Sequence, residues 1–309
     1  MPDRPAGRRG RAVFEVLGAA ALFGTTGTSQ ALGPTGTTPL GVGAARLIIG
    51  GVGLMAALPL LGGRPRAAVS LWRTVPGIVG GVCTALYQVC FFAAVSRAGV
   101  ALGTLVTIGS APFLAGAMSW LLTRRRPTRT WMLWTLVAVI GLGLLVLDGS
   151  ARPEVDLLGV LLALGSALGY AAYTVMGRLL IDRGHQSSEV MAASFSLGGL
   201  LLIPVLLTQP LLWLTQPSGI VMAVYLGLVT TTVGYILFGR GLTVLDPGPV
   251  TTLVLAEPLV ATILGVTVLG ERLGGPGWIG VIIVLAALVG QGLAEVRRAP
   301  AAHHEEVRA

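Results

Sequence analysis

Long apolar runs dominate this chain, and short polar stretches separate them. The runs lie near residues 13–32, 39–61, 75–95, 100–122, 131–148, 157–180, 190–208, 220–241, 250–269 and 278–294, ten in all. Each is close to the roughly 20 residues that carry an α-helix across a bilayer. Most lack the two-residue alternation of barrel strands and are too long for one. The pattern predicts an all-α integral membrane protein of ten transmembrane helices, with no segment long enough for a separate soluble domain.

The runs also repeat. "ALFGTTGTSQAL" at 21–32 resembles "ALGYAAYTVMGR" at 167–178, and "GSAPFLAGAMSWLL" at 109–122 resembles "LAEPLVATILGVTVL" at 255–269. Trp131 opens the fifth run as Trp278 opens the tenth, and all three offsets are 146 or 147 residues. Agreement among separate segments at one period marks an internal repeat. Five helices per copy is an odd number, so the second copy must enter the membrane from the opposite face. The expected organisation is two inverted five-helix repeats, 13–148 and 157–294, between cytoplasmic tails 1–12 and 295–309. Inverted repeats characterise many secondary transporters, whose substrate sites lie near the midplane.

On these residues the chain resembles the ten-helix EamA-type members of the drug/metabolite transporter superfamily, over about residues 12–296. The resemblance rests on the Gly/Thr-rich first span, "AARLIIGG" in the second, the Pro of "SAP" and "AEP", and "LGERLGGPGWIGVIIVLAALVG" leading into the last span. The first repeat departs from the Gly-Glu-Arg-Leu turn, reading "TRRRPTRTW" there, which leaves Glu271 a structural residue. Members of this kind export amino acids, other metabolites or drugs, so the resemblance implies a secondary transporter of a small metabolite working by alternating access, in the export direction.

Composition agrees with the hydropathy. The chain is 54% hydrophobic and 11% charged, against about a quarter charged in soluble domains. The net charge of +8 would suit nucleic acid, but the placement of its arginines explains it otherwise. With a cytoplasmic N-terminus, seventeen arginines fall on the inner side, including Arg4, Arg125 and Arg308, and three fall outside: Arg97, Arg152 and Arg272. That is the positive-inside pattern, and no nucleic-acid partner is expected. Arginine without lysine, with abundant Ala, Gly and Pro, fits a GC-rich bacterial genome, hence a bacterial cytoplasmic membrane with both termini inside. The basic start could be a secretory signal, but its recurrence later in the chain makes it the first span. Cys83 and Cys90, seven apart on one helix, are too far apart for a disulfide. The His303–His304 tail is expected to be disordered and is weak as a metal site.

Candidate chemistry is sparse. Among the acids only Glu257 lies well inside a span, and among the bases only Arg46. An ionisable group in lipid costs at least about 2.5–3.5 kcal/mol, so such groups usually face a cavity. Arg46 suits an anionic group of a substrate, and Glu257 an amine or a proton. Snorkelling for Arg46 and structural hydrogen bonding for Glu257 are the alternatives. Ser166, Tyr170, Tyr173 and Thr174 share one face of the sixth span, and the two tyrosines are expected to line a central cavity. Thr25, Thr28 and Ser29 of span one, Tyr87 and Gln88 of span three, Thr107 of span four, and Thr232 and Tyr235 of span eight complete the expected lining. Any one of these hydroxyls could equally serve a helix–helix bond worth about 0.6 kcal/mol.

Pro112 and Pro258 are expected to kink their spans, leaving Ile108 and Val254 carbonyls without their usual donors. Such breaks persist where protein or a wet cavity satisfies the freed groups. That places Glu257 beside a polar spot and lets it bind a proton or an amine in one facing state. A serine hydrolase using Ser166 would need a base, usually His, and all three His lie outside the spans. A sensor or scaffold without transport remains as a further class. The expected partners are a small-molecule substrate, the bilayer and a proton; no cofactor or metal is expected, and the chain should act as a monomer.

Overall fold

A computed structural model describes residues 5–124, 126–147 and 156–298. The His303–His304 tail, Arg4, Arg125, Arg152 and Arg308 lie outside them. Twelve α-helices run in order: α1 Pro5–Ala31, α2 Pro39–Ala57, α3 Pro65–Leu71, α4 Val75–Thr123, α5 Arg129–Leu147, α6 Leu157–Asp182, α7 Ser187–Leu207, α8 Pro217–Val224, α9 Gly234–Leu242, α10 Pro247–Leu253, α11 Ala256–Val268 and α12 Gly275–Arg297. Among the described residues nine segments are long and apolar enough to cross a membrane. α1 is not one of them, because "GTTGTSQ" makes its second half polar. α1 begins at Pro5 and α12 runs to Arg297, so residues 5–12 and 295–297 extend helices where tails were expected.

The helix starts follow local chemistry. Thr38 caps α2 by accepting the Gly41 amide at 3.1 Å, and Thr74 caps α4 by accepting that of Gly77 at 3.2 Å. In both, a proline in the first turn supplies a preset φ where its missing N–H costs nothing. Asp156 caps α6 through the amides of Leu158 and Gly159.

Three spans are irregular. α4 carries two predicted spans as one 49-residue helix, bent at Gly99, whose φ of 82° favours glycine. Pro112 stays inside α4 with helical backbone, so the break in that helix falls at Gly99. Between α8 and α9 the chain forms a π-helical stretch, Tyr225–Val233. There Thr231 donates to Leu226 O and Thr232 to Gly227 O, five residues back. Between α10 and α11 the helix is interrupted at Val254–Leu255. Pro258 donates nothing, yet the Val254 carbonyl is not orphaned: it accepts the Glu257 amide at 2.8 Å. The turn tightens by one residue and satisfies the group within the backbone.

α4 packs along α6, α5 along α12, α2 along α7, and α1 against α11 and α9. Large apolar side chains such as Phe14, Leu136, Ile282 and Leu293 stay exposed on the perimeter, as a lipid solvent requires.

Candidate functional site

A cavity of about 640 Å³ lies among α1, α2, α4 and α11, within the range of about 300–1,000 Å³ common for small-molecule sites. α1 presents Phe23, Thr26, Gly27 and Gln30, and α4 presents Tyr87, Phe91, Phe92, Val95 and Thr104. α11 presents Glu257, Pro258, Ala261 and Thr262, and Arg46 enters from α2. Pro39, Val100 and Glu271 also line it. They sit at the ends of α2, the first half of α4 and α11 that lie away from the arginine-rich loops. The cavity therefore runs from Arg46 and Glu257 toward that end of the molecule.

Its electrostatics rest on two opposite charges held apart. Arg46 donates from Nη1 to Thr26 Oγ1 at 3.4 Å, and its buried Nε has no partner. Glu257 has no side-chain hydrogen bond or ion pair among the described residues, and none joins it to Arg46. A guanidinium with an unfilled donor and an unpaired carboxylate thus face one cavity, able to take up an anionic and a cationic group. Tyr87, Phe91 and Phe92 offer apolar surface beside them. Phe92 is fixed by Gly43, where a Cβ would sit 2.0 Å from the ring.

Three of the expected lining residues are here: Arg46, Tyr87 and Glu257, with Pro258 beside them. The others bond elsewhere. Thr25 donates to Leu22 O and accepts from Tyr225 OH at 3.0 Å, while Thr28 is buried and Ser29 half-buried on the same side of α1. Gln88 donates to Gly43 O, Thr107 to Ala163 O, Ser166 to Tyr87 O and Thr232 to Gly50 O. Tyr170 and Tyr173 do not line the cavity as expected. They are 5% and 1% exposed, stacked at 5.2 Å in a packed aromatic layer with Phe195 and Phe238, and Tyr173 OH bonds Tyr235 OH at 3.1 Å. The cavity-facing Thr26, Phe91, Phe92 and Thr262 escaped the sequence reading. On α1 the lining positions are 23, 24, 26, 27 and 30, one side of the helix, whereas 25, 28 and 29 lie on the opposite side.

At the arginine-rich end the helices are tied together. The Trp131 ring fills a slot between α4 and α10 where a Cβ on Gly116 or Gly248 would come within 2.3 or 2.8 Å of it. Its Nε1 donates to Thr252 Oγ1 at 3.0 Å, and Thr252 shares a 2.8 Å bond with Thr135. Arg178 donates to the Leu242 and Leu245 carbonyls at 2.8 and 3.0 Å, and Arg298 pairs with Asp246 at 3.0 Å.

The model of the EamA-like transporter family matches residues 10–147 and again 157–291. The chain belongs to this family. It is a multi-pass membrane transporter of a small molecule, not an enzyme. It is 38% identical over 274 residues to the uncharacterized transporter YwfM of Bacillus subtilis (strain 168), covering 89% of this chain and 91% of that one. It is 30% identical over 192 residues to the threonine/homoserine exporter RhtA of Salmonella typhimurium (strain LT2), 61% of this chain and 62% of the relative. With RhtA of Escherichia coli (strain K12) it shares 28% over 282 residues, 91% and 90% of the two chains. A solved crystal structure superposes with a TM-score of 0.76 at 22% identity, covering 93% of this chain and 99% of that one; this likeness concerns the fold alone.

Proposed function

We propose that the chain is a ten-span secondary exporter, built as two inverted five-helix repeats, that moves a small zwitterionic or amphipathic metabolite by alternating access. The observation that carries the substrate class is the pair of unpaired opposite charges, Arg46 and Glu257, on the walls of one cavity. Arg46 takes the anionic group. Glu257 takes the amine in one facing state and a proton in the other. The names of the RhtA relatives make threonine and homoserine the first compounds to try.

The repeat reading is supported by the double family match and by the pairing of helices. α2 packs on its counterpart α7 and α5 on α12, while α6 against α4 mirrors α1 against α9 and α11. The arginine distribution supports a bacterial cytoplasmic membrane with both termini inside. In that orientation the cavity faces outward and the Trp131 closure is the inner gate. The site is complete within one chain, which supports a monomer.

Efflux of labelled threonine and homoserine from proteoliposomes tests this at several pH values. Wild type should move one of them with a pH-dependent rate. Glu257→Gln should fold yet lose transport or its pH dependence, and Glu257→Asp should keep part of both. Full, pH-responsive efflux by the Gln variant would reduce Glu257 to a structural group.

A further inference from the structure

Away from the central cavity, a lateral groove of about 480 Å³ lies between α5 and α12 at the arginine-bearing ends of these helices. Thr130 and Trp134 line it from α5, and Leu293 and Arg297 from α12. Trp134 lies against the α12 backbone at Gly290, where a Cβ would be 2.4 Å from the indole. Three donors in this groove have no protein partner among the described residues: the Thr130 hydroxyl, the Trp134 indole N–H and the Arg297 guanidinium.

The surrounding charges leave the groove positive. Glu295 also lines it, but it is 3% exposed and held by Arg9 at 2.8 Å, with Arg298 at 3.9 Å. Arg298 in turn holds Asp246 at 3.0 Å. These pairs neutralise each other and leave Arg297 unmatched. Toward the middle of the helices the groove gives way to exposed Leu133, Leu136 and Val289. A ligand for it must therefore join an anionic, acceptor-rich head to an apolar tail.

We propose that this groove is a binding site for one anionic phospholipid, its phosphate held by Arg297, Thr130 and Trp134 and its acyl chain lying along Leu293 and the lipid-facing side of α5. A free phosphate would gain nothing from the apolar part. A zwitterionic phospholipid would bring a choline or amine to a locus already positive. Basic pockets between membrane helices bind anionic head groups in this way, each arginine contributing an affinity factor of about five.

The test is native mass spectrometry of the purified full chain in detergent, titrated with phosphatidylglycerol, phosphatidylcholine and inorganic phosphate. Phosphatidylglycerol should be retained about fivefold more tightly than phosphatidylcholine, and phosphate should not displace it. Arg297→Gln should weaken phosphatidylglycerol about fivefold and leave phosphatidylcholine unchanged. Thr130→Ala should act in the same direction. Arg66→Gln removes the same charge from an exposed position on α3, away from the groove, and should change nothing. Equal retention of the two lipids, displacement by phosphate, or an equal loss in Arg66→Gln and Arg297→Gln would overturn the site.

Discussion

At the scale of single residues, the chain separates groups that hold structure from groups left free to act. Tyr173 belongs to the first kind, being 1% exposed in the aromatic layer beneath the cavity. Tyr173→Ala should cost about 3–5 kcal/mol, as loss of a large buried ring does, while Tyr173→Phe forfeits only the bond to Tyr235, about 0.5–1.5 kcal/mol. Thermal unfolding in detergent checks the order. Asp156, outside the spans, has its carboxyl held below the usual carboxylate range by the Gly159 amide and by Arg97 at 2.8 Å. A lowered value means the stabilisation is present above the ordinary carboxyl value and is lost as pH falls through the lowered one. Asp156→Asn should therefore melt below wild type near neutral pH, and the difference should vanish in acid. Arg46 and Glu257 were legible in the sequence because a charge in an apolar run is rare. The hydroxyl residues were not, because a threonine in a membrane helix has a ready partner in its own backbone, as Thr25 and Thr232 show.

At the scale of elements, hydropathy gave nearly every span but not the internal breaks. Gly99 inside "SRAGVALG" reads as one more small residue, and only its φ of 82° reveals the bend of α4. The proline of "AEP" did mark an interruption, while the one in "SAP" sits in helical backbone; the difference arises in packing and is absent from the local sequence. The phase of α1 was equally hidden, since Thr and Ser occur on both of its faces. The most consequential element contact is Trp131 between α4 and α10. Trp131→Phe keeps the ring between Gly116 and Gly248 but removes the N–H given to Thr252. Losing one hydrogen bond worth about 0.5–1.5 kcal/mol should open this end more often, by about two- to tenfold. In a protein lacking Cys83 and Cys90, a cysteine placed at Ser119, which lines the cleft beside Trp131, should be labelled faster by the same factor. An unchanged rate would make Trp131 a packing residue only.

At the scale of the whole molecule, the proposed transport cycle turns one cavity with two opposite charges between two faces of a membrane. The orientation is open to direct measurement: single cysteines at Ser218 and Ser70, each on a cysteine-free background, should react with an impermeant reagent from outside and from inside respectively. The proposed repeat rests in the sequence on three separate segments that share an offset of 146 or 147 residues. The cavity's chemistry was visible only as two isolated charges, whose meeting depends on how α2 and α11 are brought together. The most direct measurement is competition for binding to the purified chain by three forms of one amino acid: the zwitterion, its methyl ester and its decarboxylated amine. A two-charge site requires that the zwitterion compete best, that Arg46→Gln remove its advantage over the ester and the amine, and that Glu257→Gln weaken all three. Equal competition by all three forms, unchanged in the Arg46 variant, would contradict it.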